Sequence, residues 1–461
     1  MSEIPPLAVG HQCPSTRNSD EAFALTLRTL LADGHGVETR RASDSKPKKS
    51  REILNFQIAV SEPRDRILIN PERSLNVVGA VARFVWMLAG SDRLEDIAYY
   101  EPKVRHYTDD KISVPGSCYG RRLFQSSPGL NQLDGVVENL QSEEGSRRAA
   151  TVIWSAADAI RGNSKDIPCA FGAFYHIRGG QLIATTMMRS NNAFILLPYN
   201  LFEFGLLAEM VASKVGVDLG QLVHFAVSMH LFAEFDEAAA KAVRGYEDIK
   251  GGPRTLMQPM PRSHDPFEQG RELVRLEAAL RHDHNALRNG DLKVLSRRAE
   301  DRLSPYWLDF YNVLLAHSLA TAGHRDEAAQ VARSLPTYFQ ASVLPAVKPE
   351  DKPSGGRQGT LFDTGVTVSD EIQQVFAPTP SEVHECLDLL TAHCAEIETS
   401  TGELITRIEA DELRKRLVMG HPLAIAARSE EEGGAATDRF LLTERAVREE
   451  LDRIRRGTPG A

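Results

Sequence analysis

The chain has 461 residues, more than one hydrophobic core usually supports, so about two to three domains are expected from length alone. Its 63 acidic and 54 basic residues leave a formal charge of −9, which argues against a nucleic-acid surface, because neutralising phosphates needs a clustered basic excess. Five cysteines without a CxxC pair suggest free thiols in a reducing compartment; with no secretory leader pattern and no apolar run near the ~18 residues that span a bilayer, a cytoplasmic protein without a membrane partner is expected.

Residues 1–20 show no period and read as a tail or a loose first strand. AFALTLRTLLADG (22–34) has helical spacing and closes on Asp33-Gly34, a C-cap signal. EILNFQIAV (52–60) reads as a strand, and LNVVGAVARFVWMLAG (75–90) as a buried helix stopped by Gly90. Strand formers fill 150–156, 170–177 and 182–188, the last two joined by the turn Arg178-Gly179-Gly180-Gln181. The spacing predicts a helix over 201–216.

Beyond about residue 263 the pattern turns helical. Segments 267–287 and 307–336 read as helices, the second like one tetratricopeptide pair. Residues 347–378 read as a flexible linker. A capping box, Thr379-Pro380-Ser381-Glu382, opens a helix with Cys386 and Cys394, and a last helix runs from Thr443 to Arg456. The expected organisation is a tail (1–20), an α+β domain with a mixed sheet and helices (21–262), a helical region (263–346), a linker (347–378) and C-terminal helices (379–461) that read as interaction or oligomerisation elements. His384 and His393 fall on opposite faces of their helix at about 100° per residue, so with Cys386 and Cys394 they do not converge on a metal, and none is expected.

The chemistry concentrates in PCAFGAFYHIRGGQLIATTMMRSNNAFILLPYN, residues 168–200. A cysteine attacks as its thiolate, which positive charge favours, and the predicted hairpin brings Arg189 back towards Cys169. Arg189 with Ser190 makes an oxyanion-binding pair, and Ser146-Arg147-Arg148 offers two more phosphate donors. The Asn200 amide carries the donor and acceptor that read a uracil edge, and His230 could reach a sugar hydroxyl. Each residue also has a plainer reading: a small buried hydrophobe for Cys169, a solvated face for Arg147-Arg148, a core position for His230, and a helix-capping turn for Pro198-Tyr199-Asn200.

The same stretch resembles the segment of thymidylate synthases that holds the nucleophilic Cys, the Arg-Ser and the Leu-Pro-aromatic-Asn, with matching intervals to the asparagine and on to His230-Leu231-Phe232. Cys118-Tyr119-Gly120, Ser146-Arg147-Arg148 and Ala82–Gly90 fall on further motifs, so the resemblance covers about residues 20–240. It implies that Cys169 adds to carbon 6 of a pyrimidine nucleotide monophosphate, activating carbon 5 for a one-carbon unit from methylenetetrahydrofolate. Arg189, Ser190, Arg147 and Arg148 would hold the phosphate, the paired arginines arriving from the second subunit of a homodimer. Asn200 would read the base, His230 the sugar, Tyr119 would join the proton network, and Asn192 would occupy the pterin-contact position.

Departures accompany the match. Arg83 stands at the family's catalytic glutamate, Asn192 at the pterin-contacting aspartate, Leu196 at a glycine and Phe232 at the tyrosine that shares the sugar; Arg40–Lys49 replaces the phosphate loop, and no counterpart of the closing C-terminal segment follows residue 240. Because hydroxymethylases that act on cytosine usually carry aspartate at Asn200, a uracil base is expected. The expected activity is methylation or hydroxymethylation at carbon 5. The alternatives are a nucleotide sensor without folate chemistry that signals to a protein partner through its C-terminal helices, and folate-independent exchange or removal of a carbon 5 substituent.

Overall fold

The computed structural model describes residues 13–39, 47–125, 130–161, 164–252, 256–282 and 284–347. The calls on residues beyond 347, with Cys386 and Cys394, and most of the basic stretch after Thr39 lie outside the described residues. Eight strands form one mixed sheet: β1 (Ser15–Thr16), β2 (His35–Thr39), β3 (Lys48–Val60), β4 (Ala150–Val152), β5 (Ala170–Arg178), β6 (Gln181–Met188), β7 (Asn191–Asn192) and β8 (Asp218–Phe232). Their order is β1-β3-β8-β6-β5-β4, with β2 paired to β3 and β7 to β8. The β3–β8 and β5–β6 pairs are antiparallel, and β6–β8 is parallel.

Helices α1 (Ser19–Asp33), α2 (Val77–Ala89), α3 (Leu94–Ala98), α4 (Tyr119–Phe124), α5 (Gln132–Ser142), α6 (Ala156–Ile160), α7 (Leu197–Val215) and α8 (Asp236–Ile249) surround it. Then follow α9 (Pro266–His282), α10 (His284–Asn289), α11 (Leu292–Glu300), α12 (Pro305–Thr321), α13 (Arg325–Ser334) and α14 (Thr337–Val347).

The β5–β6 hairpin turns through two consecutive left-handed glycines, Gly179 (φ 59°) and Gly180 (φ 73°), the backbone that matches the strands' right-handed twist. Its register sets Ala170 opposite Met188, and the Arg189 N–H donates to the Cys169 carbonyl at 2.8 Å. Gly90 ends α2 in the left-handed region, as expected. Gly34 does not: its φ is −66°, and a Cβ there would lie 2.3 Å from the Leu30 oxygen, so close approach rather than handedness requires glycine.

Three local expectations are corrected. The strand expected over 150–156 stops at Val152, because Ser155 and Asp158 form a capping box that opens α6. Pro198, Tyr199 and Asn200 lie inside α7 rather than before it; proline in the first turn gives up an N–H that has no helical partner anyway. The longest strand, β8, was not expected, since its polar interruptions and Gly220 hide the period; a Cβ at Gly220 would lie 2.9 Å from the Leu182 oxygen on β6.

Helix α7 packs against β6 and β8 on the sheet and against α1, α2, α5 and α9. Helices α9 and α12 also cover α2, where Phe84 meets Trp307 and Phe310 at ring-centroid distances of 6.5 and 6.1 Å. Helices α9–α14 therefore extend the same hydrophobic core. Replacing the fully buried Trp307 by alanine is expected to destabilise the protein by about 3–5 kcal/mol in urea unfolding, with Trp307→Phe intermediate.

Candidate active site

Cys169 is half-buried at the residue before β5. Arg189 clamps the chain leading to it: Nε donates to the Pro168 carbonyl at 2.8 Å and Nη2 to the Ile167 carbonyl at 3.2 Å, while the guanidinium lies 5.5 Å from the Trp154 ring. Tyr119, at the start of α4, is buried against Phe204, and its hydroxyl meets the Ala170 N–H. Burial first, and then the neighbouring Cys169, push its pKa upward, so at neutral pH it is a proton-bearing phenol. Cys118 is a different kind of cysteine: burial pushes its thiol up to about 12.

Past Arg189 the chain enters β7. Ser190 Oγ lies 3.4 Å from His230 Nδ1, and β7 places Asn192 beside His230 on β8. Asn191 Nδ2 donates to Asn200 Oδ1 at 2.7 Å; His224 Nε2 lies 3.1 Å from Asn191 Oδ1, and Thr186 Oγ1 lies 2.8 Å from His224 Nδ1. All four side chains are buried. Asn192 caps the turn into α7, its Oδ1 accepting from the Ile195 N–H at 2.8 Å, and its Nδ2 is buried without a partner.

Beneath this row lies a buried charge cluster. Arg83 of α2 forms an ion pair with Glu203 of α7 and lies 5.6 Å from the Tyr199 ring. Burial opposes the Arg83 charge, but Glu203 outweighs it and holds the guanidinium protonated more firmly than usual. Arg73 lies 5.7 Å from the same Tyr199 ring and donates to the Phe194 carbonyl at 3.2 Å. Glu101, buried nearby, is raised by desolvation to about 7 although Arg83 and Arg73 pull it down.

The structure thus brings Cys169, Tyr119, Arg189, Ser190, Asn192, Asn200 and His230 around the ends of β5–β8 and the start of α7. It does not bring Arg147 and Arg148 there. Both are exposed beside the far end of β5, where the Tyr175 N–H bonds Ala149, about 20 Å from Cys169 at roughly 3.3 Å per strand residue. Among the described residues no cluster of His, Cys, Asp and Glu could hold a metal, and no helix is long and apolar enough to cross a membrane.

The family model described as Thymidylate synthase matches residues 21–257, more than half of the chain. The chain belongs to the thymidylate synthase family. It is 28% identical over 220 residues to the "Putative thymidylate synthase" of Methanocaldococcus jannaschii, covering 47% of this chain and 88% of the relative. It is 29% identical over 274 residues to the "Deoxyuridylate hydroxymethyltransferase" of Pseudomonas phage M6, covering 56% and 75%. A "Putative thymidylate synthase" of Methanosarcina acetivorans is 30% identical over 161 residues, covering 34% and 73%.

Within this thymidylate synthase framework, sequence reading missed Glu203, Asn191, His224 and Thr186. For Glu203 and His224 the signal was present: a carboxylate and an imidazole inside otherwise apolar runs must find partners. Burial pushes His224 down from 6.5 to about 4. Between those values the unfolded chain binds a proton that the folded protein refuses, so stability falls as the pH drops through that window, by up to about 3 kcal/mol. Urea unfolding of the wild type and His224→Gln from pH 7 to 4 should show that slope only in the wild type.

Proposed function

We propose that this protein methylates or hydroxymethylates carbon 5 of a uracil nucleotide monophosphate through a covalent adduct at Cys169. The observation that carries the reading is the convergence on the Cys169 end of the β5–β6 hairpin: Arg189 clamps the preceding carbonyls, Tyr119 lies against Ala170, and β7 links Ser190 and Asn191 to His230 and Asn200. The printed names of the relatives, a deoxyuridylate hydroxymethyltransferase among them, support the same substrate class.

In the first step the Cys169 sulfur bonds to carbon 6 of the ring. The carbon 5–carbon 6 π pair moves towards the carbonyl at carbon 4, leaving a nucleophilic carbon 5 and negative charge on O4. Asn200 reads the base, and His230 with Ser190 faces the sugar. The Arg189 donors left over from its main-chain clamp serve the phosphate. Tyr119 keeps its proton near neutral pH and can lend it along the ring's edge. Arg83 cannot act as a base, so it contributes fixed positive charge balanced by Glu203.

Methylenetetrahydrofolate is the one-carbon donor implied by the family. Asn192 does not fit the family's pterin contact: its Oδ1 already caps α7, and its remaining group is a donor where the aspartate offered acceptors. Contacts to such a donor would therefore come from other residues.

A homodimer completes the phosphate site in this proposal. One face of β5, β6 and β8 is incompletely covered, leaving Phe174 39% and Val227 44% exposed, and a second copy stacked there could carry its own Arg147 and Arg148 to Cys169. Tritium release from dUMP or UMP labelled at carbon 5 is expected for the wild type and is expected to fall to background in Cys169→Ala. No release from either nucleotide, with or without methylenetetrahydrofolate, would overturn the reading. Mixing Cys169→Ala with the double variant Arg147→Ala/Arg148→Ala should recover about a quarter of wild-type release after subunit exchange, since half the dimers are mixed and each then has one intact site of two. No recovery despite mixed dimers would remove the shared site.

A further inference from the structure

We infer that Asn191, held by His224 and Thr186, decides which end of the Asn200 amide faces the nucleotide base and so selects uracil over cytosine. The inference rests on the base-reading role of Asn200 proposed above.

A neutral imidazole has one donor and one acceptor, so the buried chain must run in a single direction. The Thr186 hydroxyl donates to His224 Nδ1 at 2.8 Å, leaving the proton on Nε2, which donates to Asn191 Oδ1 at 3.1 Å. With its oxygen occupied by the imidazole, Asn191 turns its Nδ2 to Asn200 Oδ1 at 2.7 Å. The buried polar atoms without a partner include Asn192 Nδ2 and Tyr199 Oη but not Asn200 Nδ2, and no hydrogen bond engages that nitrogen among the described residues. The Asn200 amino group is the end left open. It matches the O4 acceptor of uracil and meets a second donor at the amino group of cytosine.

Reversing every bond would turn the Asn200 carbonyl outward. The reversed chain would make Thr186 donate instead to the Val223 carbonyl at 3.4 Å, long for a hydroxyl donor, whereas the forward chain uses its 2.8 Å contact with His224. Position 191 therefore controls the outcome. Aspartate there can only accept, from His224 on one side and from the Asn200 amino group on the other, which forces the reversed orientation at Asn200.

Calorimetry with dUMP and dCMP tests this on the full chain. The ratio of dUMP to dCMP affinity is expected to drop by at least about tenfold in Asn191→Asp relative to wild type, as a matched hydrogen bond at carbon 4 is exchanged between the two bases. A purely structural role would weaken both nucleotides together and leave the ratio unchanged. An unchanged ratio in a folded N191D protein that binds nucleotide overturns the inference while the base-reading role stands. If the wild type binds neither dUMP nor UMP, the base-reading role fails and takes the inference with it. If N191D does not fold, nitrogen-15 spectra of histidine-labelled wild type decide the matter: proton on Nε2 of His224 is expected, and proton on Nδ1 overturns the inference.

Discussion

Helix α7 is enclosed by protein along nearly its whole length, and this enclosure governs the site. An unpaired buried polar group costs about 1–3 kcal/mol and an unpaired charge more, so the amide and the two carboxylates on the buried part of α7 recruit partners. Asn200 takes Asn191 from β7, Glu203 takes Arg83 from α2, and Glu209 takes Arg66 from the segment after β3 at 2.5 Å. Glu209 also accepts from the Met260 N–H at 3.0 Å and lies 3.4 Å from the Tyr306 hydroxyl of α12. These pairings tie sheet, helix layer and the later helices to one rod, and they fix the rotation at which α7 presents Asn200.

The Arg83–Glu203 pair shows how a charge can change sign at one position without disturbing the balance of the interior. Arginine on α2 is tolerated because glutamate stands one turn after Asn200 on the facing helix. The pair is a fixed dipole rather than a proton carrier, since the attraction of Glu203 outweighs burial and keeps the guanidinium charged. The carboxyl of this cluster that titrates near neutrality is Glu101, lifted to about 7 by burial. Among the groups of this cluster, Glu101 is thus the one that can change protonation near neutral pH, while the Arg83–Glu203 pair supplies constant charge.

The legible part of the site was the part encoded locally. Cys169 and Arg189 are twenty residues apart in the sequence, but one hairpin with two left-handed glycines returns the chain, so their meeting follows from spacing and turn chemistry. The pairs that orient this core are nonlocal: Arg83 and Glu203 lie 120 positions apart, and His224 and Asn191 lie 33 apart. Neither spacing carries a period, and Arg83, Glu203 and His224 sit in apolar runs that read as plain core. The strand carrying His224 was hidden for a related reason. Its buried positions include Gly220 and His224 itself, so the apolar alternation of a half-exposed strand is interrupted in the sequence.

The contrast between the two halves of the site comes down to neighbouring asparagines. Successive strand residues point to opposite faces, so β7 commits Asn191 to the Asn200 amide and Asn192 to the first turn of α7. The same two residues also pair with β8 at Met229 and His230, which fixes their directions together. A carboxylate restored at position 192 could still cap the helix and would have a free oxygen for a cofactor, whereas a carboxylate at 191 would keep its bond from His224 and turn the Asn200 amide round. With the roles proposed above, the side of the turn that would face the cofactor is open to change while the side that would face the base is locked by its neighbours.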